Sequence, residues 1–161
     1  MSGVLRVGND AGFGGAETMD PYDGNRTWPT INMVFDRLIG VDEGFSPIPE
    51  LALSWSSNSD LTEWSIILRE GVKFHDGSDF DAEDVVYSIN RMIDPEFDSP
   101  VRAVLGVITS ATAIAPYVVK LNLSVGEADL PLLLADYRAL MTPVGSQETI
   151  GKNPIGTGPF K

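Results

Sequence analysis

The residues predict a mixed α+β fold, and three observations carry the prediction. Residues 63–69, EWSIILR, place Trp64, Ile66 and Leu68 on one side of an alternating run, the period of a half-buried strand. Residues 82–93, AEDVVYSINRMI, repeat Val85, Val86, Ile89, Met92 and Ile93 at helical spacing. These patterns do not alternate regularly along the chain, which argues for α+β or for a piece of a larger α/β protein. Sixteen Gly and eleven Pro in 161 residues add many turns and exclude a plain helical bundle.

Taken in order, VLRVGN (4–9) reads as a short strand leading into a Gly-rich stretch. A dinucleotide loop needs a helix directly after its glycines, and here Pro21 and a second turn cluster follow instead. Residues 29–40, PTINMVFDRLIG, predict a helix with Pro29 in its first turn, an apolar face of Ile31, Val34, Phe35 and Leu38, and Gly40 as its stop. FSPIPE continues as an extended segment, and LALSW (51–55) is short and apolar. After the strand at 63–69, Glu70-Gly71 predicts a turn and VKF (72–74) extends again. The helix at 82–93 stops at Asp94-Pro95, because a residue before proline avoids the helical region. Residues 104–115 and 117–124 predict two strands paired as a hairpin through Pro116, with Val119, Leu121 and Leu123 buried. A short helix over 128–137 starts near Asp129, and NPIGTGPFK closes the sequence as turns.

Composition removes several functions. The charge balance of −12 repels phosphate backbones and anionic headgroups, so neither nucleic acid nor a membrane surface is an expected partner. Without cysteine there is no disulfide framework, thiolate zinc site or thiol nucleophile. No apolar run reaches the roughly 20 residues that span a bilayer, so direct membrane insertion is not expected. MSGVLRVGND lacks the charged start and apolar centre of a signal peptide.

The most reactive-looking stretch is HDGSDFDAED (75–84), where the single histidine precedes five carboxylates. A calcium loop counted from Asp76 needs glycine at its sixth position and Glu at its twelfth, which here are Asp81 and Tyr87. One histidine cannot form the paired ligands of a zinc protease, and no GxSxG elbow accompanies it. Asp76, Asp79 and Asp81 share one local loop, so they would not flank a sugar unaided. Local physics accounts for the residues instead. Asp76-Gly77 is a turn pair, Asp81 caps the helix beginning at Ala82, and Glu83 and Asp84 complement the helix dipole. His75, following Phe74 in the alternation, is expected to face away from the apolar side. No catalytic residue and no metal site are therefore expected. An enzyme built on His75 and the acidic loop is the weaker alternative.

The run PELALSWSSNSDLTEWSIILREGVKFHDGSDFDAEDVVYSINRM (49–92) closely resembles the signature of family 5 extracellular solute-binding proteins, the peptide-, dipeptide- and nickel-binding receptors of bacterial ABC importers. Further pieces match in order: TMDPY (18–22), VFDRLIGVDEGFSPIPELA (34–52), VITSATAIAPYVVKLNLS (107–124) and NPIGTGPFK (153–161). The resemblance implies the N-terminal part of a two-lobed type II periplasmic-binding-protein fold. Residues 1–41 would open lobe I, 42–150 would form an inserted α+β subdomain, and 151–161 would begin the return to lobe I, with the second lobe absent. It implies a receptor and not an enzyme, without a cofactor, that captures a solute, most of all a peptide, by lobe closure and hands it to a membrane permease. The expected location is periplasmic or extracellular, with or without a lipid anchor. Matched residue by residue, the loop after the Asp-Pro pair holds Tyr22, Asp23, Asn25 and Trp28 as ligand contacts. Trp28 would offer a flat wall or else pack beneath the following helix, and Tyr22 or Asn25 would hydrogen-bond a peptide backbone. A free-standing interaction domain with no ligand of its own is the competing reading.

Overall fold

In a computed structural model that describes residues 18–23, 30–97 and 99–161, the alternation at 63–69 becomes the centre of a sheet. Strand β1 (Ile39–Val41) pairs with β2 (Pro47–Pro49), while β3 (Ala52–Ser57) and β4 (Glu63–Leu68) begin a second sheet. Helix α2 (Ala82–Ile93) follows a single helical turn, α1 (Ile31–Val34), and precedes another, α3 (Arg102–Leu105). Strands β5 (Ile108–Ala115) and β6 (Val118–Leu123) complete a four-stranded antiparallel sheet of order β3-β4-β6-β5. A last helical turn, α4 (Leu130–Leu133), and a 3-10 turn (Ser146–Glu148) follow.

The sheet buries one face. Trp64, Ile66 and Leu68 of β4 and Val119, Leu121 and Leu123 of β6 all point into the core. Against them lies the apolar stripe of α2, where Val85, Ile89 and Met92 have no exposed surface. Each such side chain, fully removed from water, contributes about 1.5–3 kcal/mol before entropy is counted. The β5–β6 hairpin and its buried residues follow the sequence expectation, but its first strand begins at Ile108, because 102–105 form α3.

The helix start is built as its residues predict. The Asp81 carboxylate accepts from Glu83 N–H (2.8 Å), and Asp84 Oδ2 accepts from Asp81 N–H (3.0 Å), a reciprocal cap. Asp84 Oδ1 also accepts from Val144 N–H at 2.9 Å, tying the cap to the chain's later part. Burial raises the Asp84 carboxyl above its ordinary value, although these two N–H groups pull it down.

The helix expected over 29–40 shrinks to Ile31–Val34. Its apolar residues are buried as predicted, but Phe35 is already extended (φ −119°, ψ 144°). Backbone carbonyls that a longer helix would use are taken by other segments. Val34 O accepts from Gly158 N–H, Asp36 O from Met141 N–H, Arg37 O from Leu51 N–H, and Leu38 O from both Glu50 and Ala52 N–H. Gly40 is no helix stop. It sits in β1, where a Cβ would lie 2.2 Å from the Glu50 carboxylate. The expected strand at 4–9 lies outside the described residues.

Candidate functional site

The segment 18–23 is a turn fixed by its own side chains. Asp20 Oδ1 accepts from Tyr22 N–H (3.1 Å), and Asp20 N–H donates to Thr18 Oγ1 (3.1 Å). Asp23 N–H donates to Asp20 O (3.3 Å), and Met19 N–H to Gly151 O (3.0 Å).

This turn is locked to the last turn of α2 by a buried ion pair. Arg91 Nη2 stands 2.7 Å from Asp20 Oδ2, and the two residues are only 8% and 7% exposed. The guanidinium also lies between two rings, 4.9 Å from the Tyr22 centroid and 4.6 Å from that of Phe97. Helical spacing explains the placement, since Ser88 and Arg91 are three residues apart and share a face. Ser88 Oγ in turn accepts from Thr142 N–H at 2.9 Å.

Asp20, Asp23, Arg91 and Phe97 border an open cavity of about 590 Å³, closed on another side by Gln147, Glu148 and Lys152. Its wall thus carries carboxylates, an ammonium, an amide and an aromatic ring. Such a lining can orient a ligand that bears charges of both signs. Among the described residues no group of three or more His, Asp or Glu side chains is arranged to hold a metal ion.

The sequence-predicted ligand residues separate here. Asp23 lines the cavity. Tyr22 does not offer its hydroxyl to it: the residue is 1% exposed, and its O–H donates to Leu140 O at 2.6 Å with Thr142 Oγ1 at 3.3 Å. Burial accordingly drives the phenol's pKa upward. In this structure Tyr22 packs in the core, with its hydroxyl bonded to Leu140 and beside Thr142. Asn25 and Trp28 lie outside the described residues. Sequence reasoning missed Arg91, Phe97, Glu148 and Lys152. The usable signal was Arg91, a charge on the apolar side of an amphipathic helix, which demands a buried partner.

The acidic stretch 75–84 does not line this cavity and forms a turn that leads into the capped start of α2. Ser78 N–H and Oγ–H both donate to Asp76 Oδ1 (2.9 and 2.7 Å), which lowers the Asp76 carboxyl, and Gly77 supplies a φ of +93°.

Comparison with known proteins agrees with this architecture. Residues 46–161 match the model of the middle region of bacterial extracellular solute-binding proteins, family 5. The chain is 31% identical over 150 residues to the glutathione-binding protein GsiB of Escherichia coli K12, covering 89% of this chain and 29% of GsiB. Among solved structures, NikZ of Campylobacter jejuni, in complex with Ni(L-His), superposes with a TM-score of 0.78 at 31% identity over 89% of this chain and 30% of NikZ. The periplasmic binding protein DppA of Helicobacter pylori, in complex with the peptide STSA, gives a TM-score of 0.75 at 26% identity over 89% of this chain and 34% of DppA. The chain thus spans about a third or less of the length of these relatives. Its mixed helix and sheet form part of a type II periplasmic-binding-protein fold. No helix among the described residues is long and apolar enough to cross a membrane. With a match over residues 46–161 and the same fold in its solved relatives, this chain belongs to the family 5 bacterial extracellular solute-binding proteins, a family of transport receptors and not of enzymes.

Proposed function

We propose that the chain forms the solute-facing part of the first lobe of an importer receptor, and that its solute is a peptide or peptide-like molecule. The observation that carries this reading is the cavity beside the 18–23 turn, which is lined by Asp23, Glu148, Lys152 and the ring of Phe97. A zwitterionic peptide presents an ammonium and a carboxylate, charges of the two signs that such a wall can pair. The glutathione and peptide ligands named for GsiB and DppA agree with that chemistry. Asn25 and Trp28, from the loop that leaves Asp23, complete the contact set in this reading, with Tyr22 supporting it from below. Residues 1–41 and 151–161 belong to lobe I and 42–150 to an inserted subdomain. In the whole protein a second lobe closes over the solute, and the closed form is the one recognised by a membrane permease outside the cytoplasm, with or without a lipid anchor.

Calorimetry of the whole protein against reduced glutathione and trialanine tests the reading. Micromolar or tighter binding that falls about tenfold or more in Asp23→Ala is expected, the scale of one charge-assisted hydrogen bond. Binding of neither probe, or binding untouched by Asp23→Ala, overturns it. The 161-residue chain alone is expected to bind weakly, because half a cleft leaves most of the solute in water.

A further inference from the structure

A second cavity, of about 620 Å³, opens where the end of α2, the turn α3 and the start of β5 meet. It shares no lining residue with the cavity beside the 18–23 turn, so its role is independent of the peptide reading. Ile93, Pro100, Ala103 and Ile108 give it apolar walls, and Ser99 and Arg102 are the only polar side chains among its lining residues. The walls are fixed from several sides. Arg102 N–H donates to Ser99 O at 3.0 Å, which sets the first turn of α3. Pro100 O accepts from Arg138 Nη1 at 3.4 Å, and Arg138 is itself held by Asp136 at 2.7 Å. Ile108, 3% exposed, ties its wall to the core.

Neither polar side chain is used by the protein itself. Ser99 is only 4% exposed, yet its hydroxyl makes no hydrogen bond. Native structures rarely leave a buried hydroxyl unpaired without a use for it. Arg102 is exposed and takes part in none of the ion pairs among the described residues. A guanidinium can only donate and a hydroxyl can donate, so together they call for an acceptor. One guanidinium carries one positive charge, and its fork matches a carboxylate with two parallel N–H···O bonds. A phosphate dianion would bring a second negative charge to a chain of net charge −12, with Asp94 and Glu96 exposed just beyond Ile93. The apolar walls favour a ligand with hydrocarbon to bury.

We propose that this cavity binds a small monocarboxylate that carries an apolar chain. Arg102 and Ser99 take the carboxylate, and the chain lies against Ile93, Pro100 and Ile108.

Calorimetry of the whole protein against octanoate tests the proposal, with octanamide and inorganic phosphate as probes that lack the charge or the chain. Octanoate is expected to bind with a Kd of about 1 mM or tighter, and each control about tenfold more weakly or worse. Arg102→Gln should weaken octanoate about tenfold or more, and Ser99→Ala about fivefold, the scales of a charge-assisted and a neutral hydrogen bond. Arg102→Lys keeps the charge and loses the fork, so it should recover only part of the affinity. Ser99→Ala should also raise the thermal midpoint of the protein without octanoate, because it removes a buried hydroxyl that has nothing to bond. Its effects on stability and on affinity thus have opposite signs, which a purely structural serine would not give. No binding of octanoate up to about 10 mM, equal binding of either control, or an affinity untouched by Arg102→Gln or by Ser99→Ala overturns the proposal. So does a lowered midpoint in Ser99→Ala, which would give the hydroxyl a structural partner instead.

Discussion

Helix α2 and the sheet beneath it owe their form to residues close together in sequence, whereas the strip from Ile31 to Val41 owes its form to residues far away. In α2 the cap, the acidic first turn and the apolar stripe all lie within residues 81–93, and each favours the same helix. In the strip, the apolar spacing favours a helix and the carbonyls favour other partners, from Leu51, Met141 and Gly158 among others. The partners win because each is a backbone hydrogen bond made in a buried place, where an unmade bond costs about 1–3 kcal/mol. A stretch that is locally undecided becomes whatever its neighbours can saturate.

Variants of graded severity break or sharpen this contrast. The largest effect is expected at Arg91, which ties α2 to a distant segment, the 18–23 turn. Arg91→Ala leaves Asp20 buried and unpaired and should lower stability to urea by about 3–5 kcal/mol. The double variant Asp20→Asn, Arg91→Met removes both charges and should lose much less. Equal losses would mean that the pair's charge is not what holds the 18–23 turn to α2. Next comes Gly156→Ala, which forces a methyl against Val34 O and should cost about 1–3 kcal/mol, with exchange rising first around α1 and not in β6. Asp81→Ala removes a local cap worth about 1 kcal/mol and should fray only the start of α2, read by amide exchange at Glu83. The smallest change is expected at Phe45, a 78% exposed residue held at φ 61° in the turn between β1 and β2. There Phe45→Gly relieves the left-handed backbone and should stabilise by under about 0.5 kcal/mol in thermal unfolding.

The same contrast explains what could be read in advance. The sheet strands at 63–68 and 118–123, the helix at 82–93 and its Asp81 cap were legible because their determinants are periodic and local. The strand expected from 104 overlaps the last two residues of α3, Val104 and Leu105, since VLGVI is apolar without a decisive period. Of the candidate site, Asp23 was named and does line the cavity, while Tyr22 turned out to be buried with its hydroxyl spent. An aromatic with a polar tip beside a turn looks the same in sequence whether it faces solute or core. Arg91, Glu148 and Lys152 were not named, because they come to the cavity from elements dozens of residues away from Asp23.

By itself the sequence determined the mixed α+β class, the amphipathic layer and its cap, and, through ordered motifs, the family. All of these depend on short-range spacing, or on residue order, which survive without knowing what meets what. Only the tertiary structure decided that the histidine beside the Asp76-Gly77 turn bonds Gly156 and Gly158, and that Asp20 is paired with Arg91. Those contacts join residues 71 or more positions apart, and the energy of an ion pair or a hydrogen bond depends on distance in space, which spacing along the chain does not encode.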